Sequence, residues 1–151
     1  MIFFDAIRAG NIEEVKAQLA DNPALAEEKD ARGFTPLVMA TYSGQMPVVK
    51  VLLAAGADID EQAGSGNTAL MGVCFKGSEE MANLLLDHGA GVNIQNTSGA
   101  TALIYAATYG HTAIVQMLLE AGAYRGLKDT DGKTALDHAK HQEVADLLKT
   151  S

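Results

Sequence analysis

Thr35, Thr68, Thr101 and Thr134 stand 33 residues apart, and four further residue series keep the same step. Gly33, Gly66, Gly99 and Gly132 precede those threonines by two positions, and Leu37, Leu70, Leu103 and Leu136 follow them by two. Gly44, Gly77 and Gly110 form the fourth series, and the pairs Gly56-Ala57, Gly89-Ala90 and Gly122-Ala123 form the fifth. Five series in phase at one period restrict the chain to a repeat architecture, in which each unit buries its apolar side against its neighbours.

Each series has a local physical role. The glycine two before each threonine suits a turn tip that requires positive φ. The threonine suits a helix N-cap, and Pro36 after Thr35 suits the first helical position. Leu37 and Ala40 are three apart and share one apolar helical face. Gly44, Gly77 and Gly110 fall where a left-handed residue ends that helix. A second helix follows, with Val48, Val51 and Leu52 in one copy and Met81, Leu84 and Leu85 in the next, and the third glycine series closes it. The unit is therefore turn, helix, short turn, helix, loop. Composition agrees: aromatic residues are only 5% and Trp is absent, which favours helix packing over a β-sandwich.

The segments GFTPLVMATYSGQMPVVKVLLAAGADID and GATALIYAATYGHTAIVQMLLEAGA resemble ankyrin repeats. That family's signature is T-P-L-H-x-A, then G-H, a V-x-L-L pattern and G-A-D. The resemblance implies an all-α, ankyrin-type α-solenoid of helix-turn-helix repeats with β-turn tips. It covers nearly the whole chain as a single domain, 1–151. Full repeats are expected at 30–62, 63–95 and 96–128, between an N-terminal capping repeat at 1–29 and a C-terminal one at 129–151. The first cap replaces the G-A-D loop with DNPALAEEK, and the last drops four residues before Val144. The signature's His is missing from every copy, where Val38, Met71, Ile104 and Asp137 stand instead. This removes the tie that the His gives neighbouring turns in the family. Repeat three departs furthest, with Ala63 where Asp is usual and Gly72 inside its first helix. Tyr105, the largest residue in the series of Gly72, is expected to cover the space left by the missing side chain.

Charge and cysteine usage bound the function. Nineteen acids against eleven bases give −8, which opposes a polyanion such as nucleic acid as the main partner. The one cysteine, Cys74, forms no internal disulfide, and MIFFDAIRAG lacks the basic lead of a signal peptide. Apolar runs are too short to span a bilayer. A cytoplasmic monomer that does not bind membranes is the expectation.

Several chemical motifs almost match. GSGNTA, from Gly64 to Ala69, satisfies G-x-G-x-x-[G/A], but DIDEQA before it has no strand character. Gly132-Lys133-Thr134 imitates the end of a phosphate-binding loop whose first glycine is one residue out of place. Asp129, Asp131 and Gly132 hint at a calcium loop, with Leu127 at its first ligand position. All three are expected to be turns. His138 and His141 could share a helical face, yet a third metal ligand is lacking nearby, and solvated residues near a helix end are expected. Cys74 reads as a small core residue and His111 as structural. No catalytic, cofactor-binding or metal-binding residue is assigned.

The ankyrin resemblance implies a different use of the surface: partners touch the turn tips and the ends of the first helices. Carried onto this chain, the expected partner-binding residues on the concave face are Arg8, Arg32, Phe34, Tyr42, Asn67, Phe75, Lys76, Tyr109 and Lys133. Aromatic and Arg side chains are the usual interface anchors. Those positions are rich in cations, while the excess acid falls on the second helices at Glu13, Glu14, Glu79, Glu80 and Glu120 and in the loop Asp58–Glu61. The expected function is a non-catalytic protein-protein interaction module whose partner presents a neutral or acidic epitope with apolar anchors. The alternatives are a dedicated inhibitor or stabiliser of one enzyme, and an enzyme with a site near His138 and His141.

Overall fold

A computed structural model describes residues 1–149 of the chain. They contain ten α-helices and one short 3-10 helix, and no strand occurs among the described residues. None of these helices is long and apolar enough to cross a membrane. The chain falls into two compact units, residues 1–69 and the residues from Leu70 onward.

In the first unit, α1 (Phe3–Ala9) and α2 (Ile12–Asp21) form one helical pair, and α3 (Pro36–Tyr42) and α4 (Met46–Ala54) the next. First helix packs on first helix and second on second, α1 against α3 and α2 against α4. The starts of these helices follow from their caps. Asn11 Oδ1 accepts from the Glu14 amide at 3.2 Å, and Thr35 Oγ1 accepts from the Val38 amide at 3.0 Å ahead of Pro36. Ile7, Val15, Val48, Val49 and Leu52 of these helices are fully buried. Each of these large side chains contributes about 1.5–3 kcal/mol by leaving water. The irregular segment DNPALAEEK is not bare loop: Pro23–Glu27 winds into the 3-10 helix, which buries Ala26.

The second unit repeats the plan. It holds nearly all of α5 (Ala69–Lys76), followed by α6 (Glu79–Asp87), α7 (Ala102–Thr108) and α8 (Thr112–Glu120), and ends in α9 (Ala135–His138) and α10 (Gln142–Lys149). Again α7 packs on α9, α6 on α8, and α8 on α10. Leu85, Leu103, Ile114 and Leu118 are fully buried there. The four missing residues shorten α9 to a single turn. Its start is nonetheless closed by a capping box, because Thr134 and Asp137 satisfy each other's backbone amides reciprocally.

The tips are held in two ways without the signature histidine. Within the first unit the Gly64 amide donates to the Gly33 carbonyl at 3.0 Å, and within the second the Thr130 amide donates to the Ser98 carbonyl at 3.0 Å. A side chain also braces each of three tips from inside. Asp30, Asn96 and Asp129 each accept, through Oδ1, from the amides two and four residues on, at 2.9–3.0 Å. Positive φ occurs at glycine alone among the described residues, and Gly33 at +85° shows why the tip needs one.

One packing expectation fails. A Cβ built at Gly72 meets nothing within 4 Å, so the Tyr105 ring does not cover that position. Tyr105 turns elsewhere: its hydroxyl accepts from Asn96 Nδ2 at 2.9 Å, and its ring stands edge-on to Phe75 at 6.5 Å. A polar phenol finds a partner in preference to an apolar gap.

Candidate interaction surface

In the first unit four of the expected contact residues meet around one recess of about 420 Å³, lined by Arg8, Arg32, Phe34, Met39, Tyr42 and Ser43. The tip sets half of it. Asp30 holds the amides of Arg32 and Phe34, and the Arg32 guanidinium lies 5.5 Å from the Phe34 ring centroid, within cation–π range. The first helices set the rest. Arg8 leaves the last turn of α1, pairs with Asp5 one turn earlier, and reaches Met39 Sδ of α3 at 3.9 Å. Tyr42, at the end of α3, is 52% exposed. Asn67 lies half-buried in the next tip and does not line this recess.

In the second unit the ends of α5 and α7 bring aromatic rings together. Phe75 and Tyr109 stand edge-to-face with centroids 4.8 Å apart, and Tyr105 also stands edge-on to Phe75. Phe75 is 43% and Tyr109 49% exposed, so neither is a core residue. The Phe75 backbone is fixed from the next repeat, because His111 Nε2 sits 3.1 Å from its carbonyl oxygen. Lys76 is exposed beside Phe75, and Lys133 is exposed in the final tip.

Two participants were not among the expected contact residues, Met39 in the recess and Tyr105 in the ring cluster, the latter expected only to cover Gly72. They occupy the same repeat position, with His138 one step further on. That shared phase is a signal the contact-position argument passed over. The position ties the first helix to its own turn: Tyr105 to Asn96, and His138 to Asp129, where Nε2 and Oδ2 are 2.7 Å apart. His138 is therefore a paired group rather than a solvated one. His141 lies outside α9 and packs against Gly110, where a Cβ would come within 2.6 Å of its ring. The two histidines thus do not share a helical face.

Electrostatics at the last repeat follow from these bonds. The Lys133 amide, then the His138 ring, hold the Asp129 carboxyl below the ordinary 3.8. The Thr134 amide and hydroxyl do the same for Asp137. Burial pushes the Cys74 thiol up, which keeps it protonated. No three His, Cys, Asp or Glu side chains gather as a metal-binding group among the described residues. GSGNTA and the residues 129–134 are turn tips, with Gly66 and Gly132 at positive φ. What the exposed residues offer is recognition: ring faces and edges beside guanidinium and ammonium donors.

Comparison with known proteins gives the family. The family model described as "Ankyrin repeats (3 copies)" matches residues 3–96, and "Ankyrin repeats (many copies)" matches residues 76–139. Among curated proteins, Ankyrin repeat and SAM domain-containing protein 6 of Danio rerio is 39% identical over 59 residues, which is 39% of this chain and 8% of that protein. The Mus musculus protein of that name is 41% identical over 59 residues, 39% of this chain and 7% of its own length. DNA-binding protein RFXANK of Homo sapiens is 39% identical over 49 residues, 32% of this chain and 19% of that protein. The matched segment is thus a small part of each relative. Ankyrin repeats are in general protein-protein interaction modules without catalytic activity. This chain, matched by the family models from residue 3 to residue 139, belongs to the ankyrin repeat family.

Proposed function

We propose that the chain is a non-catalytic cytoplasmic module, a monomer of five repeats acting as one domain, that docks a protein partner on its turn tips and first-helix ends. The repeats are those at 1–29, 30–62, 63–95, 96–128 and 129–151. Arg8, Arg32, Phe34, Tyr42, Asn67, Phe75, Lys76, Tyr109 and Lys133 carry the contact. The supporting observation is the exposure of Tyr42, Phe75 and Tyr109, large rings that stay about half exposed at the positions where the family meets its partners. An exposed aromatic gains most by being covered, and aromatic and Arg side chains dominate interface energetics.

The epitope is neutral or acidic with apolar anchors, since the contact positions carry Arg8, Arg32, Lys76 and Lys133. The acids Glu13 and Glu14 on α2, Glu79 and Glu80 on α6 and Glu120 on α8 lie on second helices. Photo-cross-linking tests the face. A benzophenone side chain at position 42 or 109 should trap the same partner protein, while the group at position 13 or 79 should not. Trapping only from the second helices would place the partner elsewhere.

A further inference from the structure

We propose that the recess between Arg8 and Arg32 is a subsite for an acidic peptide segment, in which an aliphatic side chain fills the recess and the neighbouring Asp or Glu carboxylate is clamped by the two guanidinium groups. This deepens the docking proposal above and rests on it, by naming the chemistry of one anchor.

Charge complementarity is the first support. The chain carries −8 overall, yet the recess is lined by two of its three arginines and by no carboxylate. Arg32 has no ion-pair partner among the described residues; its only charged-group contact is with the face of Phe34. Stacking on a ring leaves the edge N–H donors of a guanidinium free to point outward, toward a carboxylate in the fork geometry that Arg favours. Arg8 is paired with Asp5, but both side chains are about half exposed and three residues apart on one helix. Such pairs contribute little, so exchanging Asp5 for an incoming carboxylate costs little.

Shape and apolarity supply the rest. The recess of about 420 Å³ lies within the range of ligand-binding clefts, and Phe34, Met39 and Tyr42 give it an apolar floor and wall. Met39 is almost wholly buried, which makes it a firm floor, while its thioether adapts to branched or straight side chains. Asp30 fixes the tip from behind through the Arg32 and Phe34 amides, so the backbone that carries the Arg32 half of the clamp is held in place. Lys16 and Lys50 border another apolar groove, between α2 and α4, but that groove lacks rings and a guanidinium fork.

The test is a titration of the isotope-labelled full chain, followed by its amide resonances. The probe is a short acetylated and amidated glycine-serine peptide carrying one leucine beside adjacent glutamates; the control replaces the glutamates with glutamines. The expected result is shifts at Arg32, Phe34, Tyr42 and Ser43, with the glutamine peptide about tenfold weaker, as loss of a charge-assisted pair implies. Arg32→Gln and Arg8→Gln should each weaken the glutamate peptide severalfold while the spectrum stays dispersed, and Arg32→Lys should fall between. Four results would each overturn the inference: equal binding of the two peptides, shifts confined to the Lys16–Lys50 groove, tighter binding of a glutamate-free peptide with a free C-terminus, or no shifts up to about 5 mM. The docking proposal would survive any of these if cross-linking at positions 42 and 109 still traps its partner. It would fall separately if cross-linking does not.

Discussion

His111 reaches back to Phe75, placing Nε2 3.1 Å from its carbonyl oxygen, and lays its ring over Gly77. A carbonyl only accepts, so the imidazole proton resides on Nε2 in this contact. Gln45 makes the same link in the first unit, donating from Nε2 to the Arg8 carbonyl at 2.9 Å while covering Gly10. Each residue follows the glycine that ends a first helix, and each secures the backbone of a proposed contact residue.

The shared geometry predicts which substitutions are tolerated. His111→Gln should leave stability nearly unchanged, since Gln45 shows that an amide spans the same gap. His111→Ala should cost about 1 kcal/mol through the lost bond. Gly77→Ala should cost about 1–3 kcal/mol, because φ there is +87° and a Cβ would collide with His111. Urea denaturation checks all three, and a neutral Gly77→Ala would contradict the packing described.

Gly72 lies in α5 with open space where a Cβ would stand. Gly72→Ala should therefore stabilise the chain by about 0.5–1 kcal/mol, the helix-propensity difference alone. Tyr105→Ala should add to it independently, within about 0.5 kcal/mol. Strong coupling between them in thermal denaturation would restore the ring-over-glycine arrangement that the structure lacks.

Asp30 braces the tip that carries Arg32 and Phe34. Asp30→Ala should cost about 1–2 kcal/mol and speed hydrogen exchange at those amides. Asp30→Asn should behave as the parent, because Asn96 braces the amides of Ser98 and Ala100 in the same way. Unchanged exchange in Asp30→Ala would remove the brace from the account.

Acid should loosen the last repeat. Asp129 and Asp137 have folded pKa values below the ordinary 3.8, so their contribution is fully present above that value and is lost as pH falls through the folded ones. Stability should be flat in this respect from pH 7 to about 5 and decline below about 4, with part of the decline absent in Asp129→Asn. Urea midpoints against pH measure it. An identical acid limb in the variant would show that Asp129 is not held by the Lys133 amide and His138.

What the sequence revealed, and what it hid, divides along the range of the interactions. Thr35 as a cap, Gly33 at a tip and Gly44 at a helix end are local needs of the backbone, so their period exposed the fold directly. The bracing of tips by Asp30 and Asn96 was legible only as a missing Asp at Ala63. Contacts between repeats depend on how one unit sits on the next. Glu27 accepting from the Asp58 amide, and Asn93 from the Tyr124 amide, are the same contact two repeats apart, yet Glu27, Asp60, Asn93 and Gly126 at the accepting position differ in type, so no residue series marks it. The same limit explains Tyr105: its size suggested a gap-filler, while its hydroxyl and the nearby Asn96 decided its direction.

Affinity for the trapped partner, measured by calorimetry on paired variants, tests the central claim most directly. Tyr42→Ala with Tyr109→Ala should weaken binding by about 2–4 kcal/mol, as truncated hot spots do, while the helical circular dichroism stays unchanged. Charge reversal at Glu13 and Glu79 should leave affinity within about 0.5 kcal/mol at physiological salt and alter mainly the association rate. Full affinity in the tyrosine variant, together with lost binding in the charge-reversed one, would contradict docking on the turn tips and first-helix ends.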